Sequence, residues 1–245
     1  MTTTHSTPIT NPEDMSKSRA LAKRFFSNAA DLPISFVLDG KALRGIPQNW
    51  RPTSNRRRIN ANVIERVFEG ADSNTGLNIR VECMEYQDSP VVEWTAWFTN
   101  THARPTPILS DILAMDGTFQ GASPVLWHCN GDFNSADGYS SQETPLPAGE
   151  PLVFAPTGGW SCCGAFPYYR LMVEGGGVSL AIGWPGRWSA SFAGVAGGTQ
   201  IKAGQEKTHL RLNPGETIRT PRITVLSWTG DAARAANLWR PWYRD

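Results

Sequence analysis

Leu77, Ile79, Val81 and Cys83 alternate with Asn78, Arg80, Glu82 and Met84. After Gln87-Asp88-Ser89-Pro90 the alternation resumes, with Val92, Trp94, Ala96 and Phe98 set against Glu93, Thr95, Trp97 and Thr99. A side-chain period of two in adjacent runs joined by turn residues specifies an antiparallel hairpin with one face buried. That face and the hairpin's edges must be covered by other parts of the same chain. Further strands are predicted at 34–38, 108–119, 125–128, 152–155, 168–173, 178–184, 188–195, 207–212 and 218–228. Asp39-Gly40 and Asn213-Pro214-Gly215-Glu216 serve as turns among them. More than nine strands with no helical pattern between them predict an all-β protein, a large antiparallel β-supersandwich.

Helical signals occur only near the termini. Asn11 and Pro12 form an N-cap and first-turn pair, Glu13 and Asp14 suit the positive helix end, and Met15, Leu21, Ala22, Phe25 and Phe26 are apolar. This helix stops before Leu32-Pro33. A second helix starts at Asp231 and runs through Ala232, Ala233, Ala235, Ala236 and Leu238 to end near Pro241. The expected organisation is therefore a disordered leader at 1–10, one sandwich domain with its helix at 11–230, and a helical segment at 231–245.

Composition narrows the function. The 245 residues hold 23 Lys and Arg against 22 Asp and Glu. Duplex binding and polybasic membrane attachment both need clustered positive charge, so neither nucleic acid nor a membrane is an expected partner. No apolar run reaches the roughly 20 residues of a membrane helix. Met1 to Thr10 lacks the basic and apolar regions of a signal peptide, so a cytoplasmic location is expected.

The long polar stretch from Cys129 to Glu150 is the first place to look for a site, because connections of that length are commonly functional. Asp132 to Glu143 has acidic residues at the ends of a calcium-loop spacing, but Ala136 and Asp137 stand where a ligand and a glycine belong. His128, Cys129, Cys162 and Cys163 lack the gaps that let paired ligands converge on zinc. No metal and no cofactor are expected, and the cysteines are read as reduced, partly buried thiols. There is no Gly-x-Ser-x-Gly, Walker loop or His-Glu-x-x-His. Asp111, Asp116, Asp132 and Asp137 could supply a carboxylate pair, but sequence cannot give the separation glycoside hydrolysis requires, and none is assigned a catalytic role. Trp127, Trp160, Trp184 and Trp188 lie near glycine-rich turns, where tryptophan either stacks on a ligand or, more often, fills the core. Leu238, Trp239, Trp242 and Tyr243 concentrate large apolar surface at the end of the chain; they either fold back or dock on another domain.

Several segments together resemble a known arrangement. They are Gly164-Ala-Phe-Pro-Tyr-Tyr169, the run from Gly175-Gly-Gly to Trp184-Pro-Gly-Arg-Trp188, Ala203-Gly-Gln-Glu-Lys-Thr-His209, and Pro214-Gly-Glu-Thr-Ile-Arg-Thr-Pro-Arg222. Arg24-Phe-Phe26 to Lys41 and Val92-Glu-Trp-Thr95 to Thr101 fit the same pattern. The chain resembles the N-terminal β-supersandwich domain of α-galactosidase-type glycoside hydrolases, family 36 and its relatives. The resemblance implies a catalytic (β/α)₈ barrel as partner, which carries both catalytic carboxylates, with 231–245 leading towards it. It implies an accessory, non-catalytic role, with Leu238, Trp239, Trp242 and Tyr243 as docking residues and an α-galactoside-type sugar nearby. If loops of the sandwich reach that sugar, the candidates are Asp132 and Asp137 as hydroxyl acceptors and Trp160 as a stacking face. The alternatives are a free-standing carbohydrate-binding module and a ligand-free domain that forms homo-oligomers.

Overall fold

A computed structural model describes residues 10–132 and 134–244; the side chains of Pro241, Tyr243 and Arg244 lie outside the described set. The chain is a sandwich of two antiparallel sheets with a helix near each end. In order it forms α1 (Pro12–Phe25), β1 (Ser35–Leu38), β2 (Lys41–Arg44), β3 (Thr53–Arg58), β4 (Val63–Ala71), β5 (Leu77–Tyr86), β6 (Val91–Asn100), β7 (Leu109–Gln120), β8 (Val125–His128) and β9 (Gln142–Pro145). There follow β10 (Leu152–Phe154), β11 (Tyr168–Val173), β12 (Gly176–Gly183), β13 (Trp188–Val195), β14 (Gly198–Gln205), β15 (His209–Leu210), β16 (Thr217–Arg219), β17 (Arg222–Thr229) and α2 (Ala232–Arg244). The seven-stranded sheet runs β10-β13-β14-β7-β1-β2, with β15 on β7. The ten-stranded sheet runs β3-β4-β5-β6-β17-β12-β11-β8-β9, with β16 on β6.

The alternating hairpin is β5 and β6, paired from Leu77↔Asn100 to Glu85↔Val92. Its inward residues Leu77, Ile79, Val81, Cys83, Trp94, Ala96 and Phe98 are all buried, and side chains from the other sheet cover them. Phe36 of β1 meets Phe98 edge-on at 5.3 Å, and Trp94 Nε1 donates to the Ala114 carbonyl of β7 at 2.6 Å. α1 begins as its sequence indicates. Asn11 and Asp14 form a reciprocal capping box, Pro12 opens the first turn, and the apolar face inserts Phe25 and the following Phe26 against Trp94. Asp39-Gly40 makes the β1–β2 turn with both residues at positive φ, 51° and 76°, as a two-residue hairpin requires.

Five strands, β2, β3, β4, β9 and β14, were not among the predicted ones, and β9 lies inside the stretch read as irregular. The strand predicted at 207–212 shrinks to two residues, and that at 218–228 is divided into β16 and β17 by Thr220-Pro221. The division has a clear cause: Pro221 has no amide proton for the ladder, and Thr220 instead exchanges hydrogen bonds with Ala96 through its amide and its hydroxyl. α2 runs on past Pro241, the expected end, and its start is capped by Asp231 Oδ1 accepting from the Arg234 amide at 2.8 Å.

The apolar end of the chain folds back on the sandwich. Leu238 is 5% exposed and packs with Ala235 on Val91, Leu226 and Trp228, forming a second small core. The outer face of the ten-stranded sheet is apolar here, and α2 covers it, so Leu238 is taken up by the chain's own sheet. Trp239 and Trp242 are half-buried, set edge-on to Tyr168 at 5.9 Å and Tyr86 at 5.8 Å. The Tyr243 side chain lies outside the described residues, as do residues 1–9 of the expected leader. Among the described residues no helix is long and apolar enough to cross a membrane.

Candidate functional site

Two loops meet at one end of the sandwich. The first, 129–141, joins β8 to β9; the second, 155–167, joins β10 to β11. Their backbones touch through a bridge between Gly131 and Cys163, and the Phe166 amide donates to the Cys129 carbonyl at 3.1 Å. Glycine is required at the contact. A Cβ on Gly131, whose φ is +78°, would stand 2.1 Å from the Cys162 carbonyl oxygen, and one on Gly138 would stand 2.2 Å from the Gly131 oxygen. Three backbone layers thus stack with no room for side chains between them.

Each loop is also tied to the sheets. Trp188, fully buried in the core, donates from Nε1 to the Ser161 carbonyl at 2.8 Å, and Trp127 Nε1 donates to Ser141 Oγ. The Thr157 amide donates to the Cys163 carbonyl at 2.7 Å, and Gln142 Nε2 to Asn130 Oδ1 at 3.2 Å. His128 is buried beside Phe154, with Nε2 at 3.0 Å from Thr144 Oγ1, and burial lowers its pKa. It belongs to the support of the site.

Asp132 is exposed at the start of the first loop and holds it by accepting the Asn134 amide at 2.7 Å. Asp137 is exposed in the turn that follows, its carbonyl accepting from the Ser140 amide at 2.9 Å. Trp160 is 69% exposed on the second loop. The fold therefore places the three candidate residues on two touching loops, and no hydrogen bond joins them to one another among the described residues. Of the other turn tryptophans, Trp188 is core, Trp184 lies under Arg219 and Trp127 lies under Arg170.

Sequence reading missed Tyr139. It is 59% exposed, stands edge-on to Phe166 at 5.5 Å, and has its pKa raised by burial and then by the Asp132 charge. A tyrosine between glycine and serine in a polar loop was the available signal. Asp111 and Asp116 lie on β7 in the other sheet; Asp116 accepts from Ser35 and pairs with Arg44, a structural role. All four cysteines are free thiols, and burial raises the pKa of Cys129. Among the described residues no three of His, Cys, Asp and Glu converge on one point. The loops offer exposed carboxylates and aromatic faces, side chains that can hydrogen-bond to and stack on a polyol.

No protein-family model and no curated protein sequence matches this chain. Solved structures do match. A GH36 α-galactosidase of Geobacillus stearothermophilus in complex with 1-deoxygalactonojirimycin superposes with a TM-score of 0.66 at 16% identity, covering 87% of this chain and 32% of that one. The α-galactosidase of Lactobacillus brevis gives 0.67 at 14% identity, covering 87% and 31%. The galactosidase domain of an α-galactosidase-sucrose kinase gives 0.61 at 14% identity, covering 81% and 30%. The chain has the fold of part of a GH36 α-galactosidase. It spans about a third of the length of each of these proteins, and at such identities the likeness is one of fold.

Proposed function

We propose that this chain is a non-catalytic domain of an α-galactosidase-like glycoside hydrolase, packing on a catalytic (β/α)₈ barrel and bordering its sugar pocket. The observation that carries this reading is the extent of the fold match, which takes in 87% of the chain and only 32% of a much longer enzyme. Residues 11–230 are the sandwich unit in this reading, and 231–245 lead towards the barrel. The half-buried Trp239 and Trp242 on α2 offer apolar area for that contact.

The sugar is assigned to the paired loops. Asp132 and Asp137 accept hydrogen bonds from vicinal hydroxyls, and Trp160 covers the apolar face of a pyranose ring. A galactose-type ligand fits the Geobacillus enzyme, two of whose complexes contain 1-deoxygalactonojirimycin and stachyose. The exposure of Trp160 also favours a second reading, a carbohydrate-binding module that holds sugar unaided.

Saturation-transfer NMR with galactose and raffinose tests the loops. A border without its barrel should bind weakly, with a Kd on the order of 1 mM or above, and Trp160→Ala should abolish the transfer. Submillimolar binding would favour the module. Transfer that survives both Trp160→Ala and Asp132→Ala would remove these loops from the sugar site.

A further inference from the structure

A cleft of about 450 Å³ lies away from the loop tips, between α2 and the outer face of the ten-stranded sheet. Its floor includes Trp127, Arg170 and Ser179, one row of cross-strand partners on β8, β11 and β12. Tyr168 and Trp239 meet edge-on beside them, and Arg240 stands at the rim.

Two features of this cleft are unexplained by the fold. Ser179 is 6% exposed, and its Oγ has no hydrogen-bond partner among the described residues. An unsatisfied buried hydroxyl is costly and uncommon in native proteins. Arg170 is half-buried with its guanidinium 3.9 Å from the Trp127 ring centroid, and it donates to the Ala232 carbonyl at 3.2 Å. Neither Arg170 nor Arg240 forms an ion pair among the described residues; Glu143 acts on Arg170 only at longer range. A guanidinium has five donors in a planar fork suited to carboxylate or phosphate, and burial strengthens its demand for an anion.

We propose that this cleft binds a monosaccharide-sized ring carrying a carboxylate or a phosphate. The anion meets Arg170 and Arg240, the apolar ring face rests in the corner of Tyr168 and Trp239, and a ring hydroxyl bonds Ser179 Oγ. Asp132, Asp137 and Trp160 do not line this cleft.

Calorimetric titration of the full chain with galacturonate, galactose 6-phosphate, neutral galactose and inorganic phosphate tests it. One of the two anionic sugars should bind saturably, and roughly tenfold or more tighter than galactose or inorganic phosphate. Arg170→Gln should weaken that binding by roughly tenfold or more. Because Arg170 also holds the start of α2, Ser179→Ala is the second variant. It should weaken binding several-fold while leaving Tm unchanged or higher, since it removes an unpartnered buried hydroxyl. The site is overturned if neither anionic sugar binds, if galactose or inorganic phosphate binds as tightly, or if Ser179→Ala leaves affinity unchanged.

Discussion

Asp14→Ala is expected to destabilise the fold by about 3–5 kcal/mol, the usual cost of removing one partner from a buried ion pair. Asp14 is wholly buried and joins three parts of the chain. It caps α1 with Asn11, accepts from the Thr229 amide and hydroxyl at the end of β17, both at 2.8 Å, and pairs with Arg234 of α2. Its loss would leave the Thr229 amide without its acceptor and Arg234 without its carboxylate at the junction that seats both helices, although Arg234 still reaches the Thr229 carbonyl at 2.8 Å. Burial alone would raise the Asp14 pKa, but Arg234, Thr229 and Asn11 together hold it below the ordinary 3.8. With the folded-state pKa depressed, the stabilisation is complete above the unfolded value and is lost as pH falls through the folded one. The wild type should therefore shed this contribution only below about pH 4, and Asp14→Ala should lack that part of the acid transition. Urea unfolding at pH 7 and in a series down to pH 2 measures both effects. A loss under about 1 kcal/mol would place the contact among the weak surface pairs.

Trp94→Ala should cost about 3–5 kcal/mol. Trp94 is 1% exposed on β6, reaches across the sandwich to the Ala114 carbonyl, and takes Phe25 and Phe26 edge-on at 6.0 and 5.8 Å. Truncation would remove the side chain that α1 and both sheets share. Trp94→Phe retains much of the volume but leaves the Ala114 carbonyl without its donor, for a smaller loss of about 1–3 kcal/mol. The two variants separate packing from hydrogen bonding in one set of urea melts. Equal losses would mean that the missing donor, and not the cavity, sets the cost.

The sequence displays the elements whose physics is local. The β5–β6 register follows from alternation, the α1 start from Asn11-Pro12 and Asp14, and the β1–β2 turn from Asp39-Gly40. β3 was hidden because Thr53–Arg58 is an edge strand exposed at every position, so it carries no alternation. β9 is short and mostly exposed, and pairing with β8 defines it more than its own residues do. The candidate site was legible as residue types on two loops. Their meeting was not, because the Gly131 to Cys163 contact is non-local and rests on backbone clearance that only the folded chain reveals. The same limit applies to Leu238: an apolar residue near a terminus reads alike whether its cover is its own sheet or another domain.

The central claim, a sugar-bordering domain that does no hydrolysis itself, is tested most directly by assaying the purified 245-residue chain on a chromogenic α-galactoside. The account predicts no turnover above background. Turnover that survives repurification and disappears in Asp132→Ala or Asp137→Ala would contradict it, and would place an active site on the sandwich.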